Sequence, residues 1–112
     1  MRCLRLTHVN LRVDNLADAV RFYSEVMGLE PIVRGDRGGK GAWFRLGTTE
    51  VHIAEDTSAQ PRSKRHFAVE VADLEEARRD AERKGAEIDK VEEGRFFMRD
   101  PSGNRIEVAG RG

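Results

Sequence analysis

The sequence predicts an α+β chain of two tandem βαβββ modules. Three observations point to it: an internal repeat, a capped helical stripe at the same place in each half, and period-two alternation on either side of each stripe. Laying residue 8 on residue 66, an offset of 58, matches His8 with His66, Val13 with Val71, Leu16 with Leu74, Ala19 with Ala77 and Arg21 with Arg79. Asn15 falls on Asp73. Allowing for loop lengths, Gly41-Ala-Trp-Phe aligns with Gly94-Arg-Phe-Phe, and Val51-His-Ile-Ala with Ile106-Glu-Val-Ala.

The first strand carries Val9, Leu11 and Val13 on one face and His8, Asn10 and Arg12 on the other, because strand side chains alternate. Asn15 then caps a helix whose apolar stripe is Leu16, Ala19, Val20, Tyr23, Val26 and Met27, closed by Gly28. Strands are expected at about residues 29–35, 41–47 and 50–55. Module one therefore covers about residues 1–56, and a polar linker holding Pro61 covers about 57–64. Module two, about 65–112, repeats the plan. Phe67, Val69 and Val71 oppose His66, Ala68 and Glu70, and Asp73 with Glu76 forms a capping box. The thinner stripe Leu74, Ala77 and Ala81 ends at Gly85, and strands follow at about 86–92, 95–99 and 104–109.

The 112 residues are about one ordinary domain, small enough that pairing with a second copy would help its core. Twenty Lys and Arg balance twenty Asp and Glu, so the charge asks for neither nucleic acid nor a membrane surface, and the expected partner is a small molecule. A lone cysteine, Cys3, and arginines at positions 2 and 5 in place of an apolar signal stretch point to the cytoplasm.

The three histidines, His8, His52 and His66, share one strand parity with Glu107. Val51 and Ile53 flank His52 as Ile106 and Val108 flank Glu107, and His52 and Glu107 are repeat-equivalent, as are His8 and His66. Three imidazoles and a carboxylate on one face suit a first-row transition metal, whereas a single strand histidine is usually a hydrogen-bonded structural residue. Glu50 and Glu70 lie on similar faces as competing carboxylates.

The stretches Thr7-His-Val-Asn-Leu-Arg-Val, Phe22-Tyr-Ser-Glu-Val-Met-Gly-Leu, Trp43-Phe-Arg-Leu-Gly, His66-Phe-Ala-Val-Glu-Val and Arg99-Asp-Pro-Ser-Gly-Asn-Arg-Ile-Glu resemble the vicinal oxygen chelate superfamily of glyoxalases, fosfomycin-thiol transferases, extradiol dioxygenases and bleomycin-resistance proteins. The resemblance implies a curved mixed-sheet cup with helices on its outer face. It also implies a divalent ion (nickel, cobalt, iron, manganese or zinc) held by His8, His52, His66 and Glu107. It implies a lyase or isomerase that chelates a small oxygenated substrate, with Glu107 as ligand and proton shuttle, and glutathione as a candidate co-substrate. Asn10 and Arg12 would hold a polar or anionic end of the substrate, and Trp43 and Phe97 an apolar wall. A homodimer is expected.

Two departures bear on the reaction. Glyoxalase-type isomerases usually place a carboxylate or glutamine where His52 stands, and an asparagine where Asp56 stands. The stretch Val91-Glu-Glu-Gly-Arg is shorter than the monovalent-ion loop of the thiol transferases, and no fourth histidine is present for dioxygenase chemistry. A sequestering protein of the bleomycin-resistance kind is the alternative from another class.

Overall fold

The computed structural model describes residues 1–35, 38–58 and 60–111, so Ala59 of the expected linker lies outside the described residues. The element order is β1 (His8–Val13), α1 (Leu16–Arg21), β2 (Glu30–Ile32), β3 (Gly41–Leu46) and β4 (Thr49–Glu55), then β5 (His66–Val71), α2 (Leu74–Arg83), β6 (Glu87–Glu92), β7 (Arg95–Arg99) and β8 (Arg105–Gly110). This is the expected pair of βαβββ modules. The sheets run β1-β4-β3-β2 and β5-β8-β7-β6. In each, the first strand pairs in parallel with the last and the rest pair antiparallel. β1 and β2 are therefore the edge strands of the first sheet, and β5 and β6 those of the second.

Local chemistry explains both helices. Asn15 accepts from the Asp18 N–H and Asp73 from the Glu76 N–H, so each helix start has its cap. Gly28 and Gly85, at φ 69° and 85°, turn the chain out of the helical region in a way a Cβ would resist. The first helix departs from the expected pattern, since from Phe22 to Val26 it is π-helical. That wider turn carries Phe22 and Tyr23, both buried, toward the core. β2 is shorter than the expected 29–35 because only Glu30–Ile32 pairs with β3.

One correction concerns the repeat. Trp43 pairs with His52 and Phe97 with Glu107, so Trp43 corresponds to Phe97 rather than to Phe96. The aligned glycines are not equivalent either. Gly41 lies in β3, where an added Cβ would sit 2.5 Å from the Ile53 carbonyl oxygen, whereas Gly94 forms the turn before β7 at φ 82°. Phe44 and Phe96 belong to the core with Val13, Val51, Ile53, Met98, Ile106 and Val108.

The modules are joined by a buried polar hub. Asp100, 3 % exposed, accepts from the Tyr23 hydroxyl at 2.7 Å, from the N–H groups of Ser102 and Asn104, and from Asn104 Nδ2. Asn104 Nδ2 also donates to the Arg12 carbonyl, and Ser102 Oγ donates to Asp14 while accepting the Asp14 N–H. The Asp100–Asn104 turn thus clamps the end of β1 and the helix after it. Among the described residues no helix is long and apolar enough to cross a membrane.

Removing the Asp100 carboxylate strands several buried donors, so Asp100→Ala is expected to cost about 3 kcal/mol and Tyr23→Phe about 1 kcal/mol in urea denaturation. Burial first, then the negative field of Asp100 and the bond to it, push the Tyr23 hydroxyl well above its ordinary value. An acid raised by folding favours the unfolded chain once that chain can ionise, so stability is full below about pH 10 and falls above it. Tyr23→Phe is expected to flatten that alkaline slope.

Candidate metal centre in two halves

Register gathers the expected residues in two pairs. In module one, Asn10 stands opposite His52 and His52 opposite Trp43, so His8, Asn10, Trp43 and His52 share the face turned away from α1. The His52 ring is sandwiched, with centroids 4.2 Å from His8 at 16° and 4.0 Å from Trp43 at 4°. Its Nε2 lies 2.8 Å from Glu50 Oε1. His8 Nδ1 lies 3.1 Å from Thr7 Oγ1, which leaves its Nε2 for another partner. Imidazole lone pairs lie in the ring plane, so two nearly parallel rings direct their nitrogens side by side rather than at one point. Here Glu50 orients His52, and His52 supports His8.

In module two, His66 Nδ1 is 2.8 Å from the Lys64 carbonyl oxygen. A carbonyl only accepts, so this nitrogen carries the proton and, in the neutral ring, Nε2 presents a lone pair. Nε2 is 3.1 Å from Glu107 Oε1. Two donors at right angles on one ion, each at about 2.1 Å, stand about 3 Å apart, so this pair fits a divalent cation.

The two pairs do not meet within a chain. Among the described residues no three His, Cys, Asp or Glu are placed to hold one ion. His66 shares a 460 Å³ cavity with Asn10 and Arg12 of β1, while His8 and His52 line a second one with Asn10 and Trp43.

Of the expected substrate contacts, Asn10 and Trp43 line a 260 Å³ cavity with His8 and His52. Arg12 is engaged by Asp56, whose carboxyl is held below its ordinary range by Ser58 and then by Arg12. Phe97 packs edge-on to His66, with the Arg105 guanidinium 3.9 Å from its centroid and that of Arg95 5.5 Å away.

Around Phe97 lies a set of charges that motif reading passed over. Glu92 pairs with both Lys90 and Arg95, and Asp89 with both Arg99 and Arg105. Hydrogen bonds from Lys90 and Arg95 hold the Glu92 carboxyl low, while burial pushes Asp89 up but is outweighed by Arg105 and Arg99. The signal was available, since residues 95, 97, 99, 105 and 107 share one parity across an antiparallel pair.

Residues 5–108 match the family model described as Glyoxalase/Bleomycin resistance protein/Dioxygenase superfamily. Among solved structures, a protein assigned to the glyoxalase family from Bacillus anthracis is 29 % identical, with all of both chains covered and a TM-score of 0.83. A mutant of the fosfomycin resistance protein FosX from Listeria monocytogenes, complexed with Mn(II) and dihydroxypropylphosphonic acid, is 19 % identical over 99 % of this chain and 95 % of that one, with a TM-score of 0.85. An integron cassette protein from the Halifax Harbour sewage outfall metagenome is 20 % identical over 96 % and 98 %, with a TM-score of 0.80. At these two lower identities the likeness is one of fold.

Trp43 is the chain's one tryptophan and one of its faces is covered by His52. Replacing His52 by alanine is expected to shift Trp43 emission to the red, and unchanged emission would contradict the sandwich.

Proposed function

The chain belongs to the glyoxalase/bleomycin resistance/dioxygenase superfamily, and from that premise and its two half-sites we propose a divalent-metal enzyme whose site is completed by a second copy of the chain. The observation that carries this is the His66–Glu107 pair, whose Nε2 and Oε1 stand 3.1 Å apart while Nδ1 faces the Lys64 carbonyl on the far side of the ring. His8 would be the third ligand, through its open Nε2. His52 would enter the shell only by leaving Glu50, so it is either a fourth ligand or the support for His8.

Topology supports completion by a partner. In each sheet the residues of interest sit on the free edge strand and on the strand beside it: His8 on β1 and His52 on β4, His66 on β5 and Glu107 on β8. Setting the β1 edge of one chain against the β5 edge of another would bring all four to one seam. A two-fold dimer would contain two such cups, each with helices outside.

When bound, the ion would act as a Lewis acid on adjacent substrate oxygens. Around it, Glu107 would accept or return a proton at Oε1 or Oε2, Arg95 would steady that carboxylate from 3.8 Å, and Trp43 and Phe97 would keep water from the reacting face. The reaction is an isomerase or lyase step on a small oxygenated molecule, with glutathione a candidate co-substrate. A cytoplasmic setting accords with the lone cysteine. Sequestration without turnover is the rival outcome, recognised by tight stoichiometric binding and no product.

The deciding test pairs two defective homodimers. His8→Ala and Glu107→Ala are each expected to lose about one ion per chain in elemental analysis after dialysis against manganese, nickel, cobalt, iron or zinc. Mixing them would rebuild one intact cup per heterodimer, because an unaltered His8 from one chain meets an unaltered Glu107 from the other. With random subunit exchange half the dimers are mixed and each holds one intact cup of two, so recovery of about a quarter of the metal content and activity is expected. Absence of recovery despite subunit exchange places the site within one chain, and absence of metal in the unaltered protein removes the enzyme reading.

A further inference from the structure

The ring of His52 has few ways to reach an ion. Its faces lie against His8 and Trp43, with centroids 4.2 and 4.0 Å away and planes within 16° and 4°. Lone pairs lie in the ring plane, so rings stacked in this way aim past one another rather than at a common point. The Nε2 edge of His52 lies 2.8 Å from Glu50 Oε1. His66 spends its ring proton on the Lys64 carbonyl, whereas His52 has no acceptor at Nδ1 among the described residues. Its Nε2 therefore carries the proton and donates to Glu50.

Glu50 is placed differently. It is the Cα partner of His8 across the parallel pair of β1 and β4, and it precedes His52 by two residues, so it lies on the same face. Its Oε1 takes the His52 N–H, and among the described residues its Oε2 has no partner. Arg45, its partner on β3, turns to Glu30 at 3.6 Å, so among the described residues no Lys or Arg claims the carboxylate. At the equivalent register in module two, opposite His66, stands Arg105, which is bonded to Asp89. The modules thus differ in where the carboxylate falls: Glu107 is diagonal to His66, and Glu50 is level with His8.

We propose that Glu50, through Oε2, is the ligand that module one adds to His8, and that His52 holds this carboxylate from outside the coordination shell. The inference rests on the proposed metal site and changes its donor set to His8 and Glu50 of one chain with His66 and Glu107 of the other. A ligating carboxylate is ordinarily hydrogen-bonded in its turn, and the His52 N–H supplies that bond from a ring held on both faces. Two carboxylates also offset the charge of a divalent ion. Two imidazoles with two carboxylates are a harder set than three imidazoles with one, and suit manganese better.

The test is metal binding by the full chain, followed by manganese(II) uptake and by the nitrogen couplings in pulsed electron paramagnetic resonance of the copper(II)-loaded protein. Coupling to two imidazoles is expected, in the unaltered protein and in His52→Gln alike. Glu50→Gln, which keeps the size of the side chain and an acceptor for His52, is expected to weaken manganese binding about a hundredfold, and His52→Gln about tenfold. Glu50→Asp, which keeps the carboxylate, is expected to recover part of that loss. Glu70→Gln, at a carboxylate on the corresponding face of β5, leaves binding unchanged. The nitrogen count in the unaltered protein needs no variant, so it decides the matter even where Glu50→Gln disturbs the stack. Three coupled imidazoles falling to two in His52→Gln, or manganese bound by Glu50→Gln as tightly as by the unaltered protein, would overturn the proposal and leave the metal site standing. An unaltered protein that takes up no ion would overturn the metal site itself, and this ligand assignment with it.

Discussion

The Asp100 hub decides how the two modules face one another, and with that what a single chain can do. A carboxylate 3 % exposed is tolerable only with its oxygens bonded, and here Tyr23, the Ser102 and Asn104 amides and Asn104 Nδ2 bond them. Those donors come from both modules, and Asn104 and Ser102 reach on to Arg12 and Asp14 at the end of β1. The joint is directional because its bonds are. It fixes the modules through the helical side of module one, the turn before β8 and, at the Arg12 carbonyl, the end of edge strand β1.

Much of the fold was legible because alternation and capping are local. Val9, Leu11 and Val13 opposite His8 and Asn10 state which face of β1 is core, and Asn15 and Asp73 state where the helices start. Strand parity also predicts that His66 meets Glu107, since a parallel pair puts Ala68 opposite Glu107 and His66 beside it. Relative register was less accessible. The repeat aligned through glycine places Trp43 on Phe96, but a glycine within β3 and a glycine in a turn do different work, so the alignment slips by one residue. Such a slip moves a side chain to the opposite face, which is the difference between Phe96 in the core and Phe97 beside His66.

What the sequence could not express is how the modules are set against each other. Repeat symmetry brings equivalent residues to equivalent places within each module and says nothing of the angle between modules. That angle depends on the π-helical turn that carries Tyr23 to Asp100, a bond spanning 77 residues. The charge pattern around Phe97 was hidden for another reason. The chain's formal net charge is zero, and only the fold sorts shared carboxylates into one half and one-to-one pairs into the other.

In the proposed dimer the edge strands would tie site formation to association. An edge strand presents unpaired backbone groups, and β1 and β5 are also the strands that carry His8 and His66. A chain of this size has few other ways to enlarge its core. In the proposed dimer, covering those edges and assembling the ligand set are one event, so metal and partner each strengthen the binding of the other by mass action. The same linkage accounts for the division of labour between halves. Module one, with its His8–His52–Trp43 stack held by Glu50, offers an aromatic wall, and module two offers the His66–Glu107 pair. A substrate bridging the seam would therefore meet unlike walls and could bind in one orientation only, an asymmetry that neither module possesses alone.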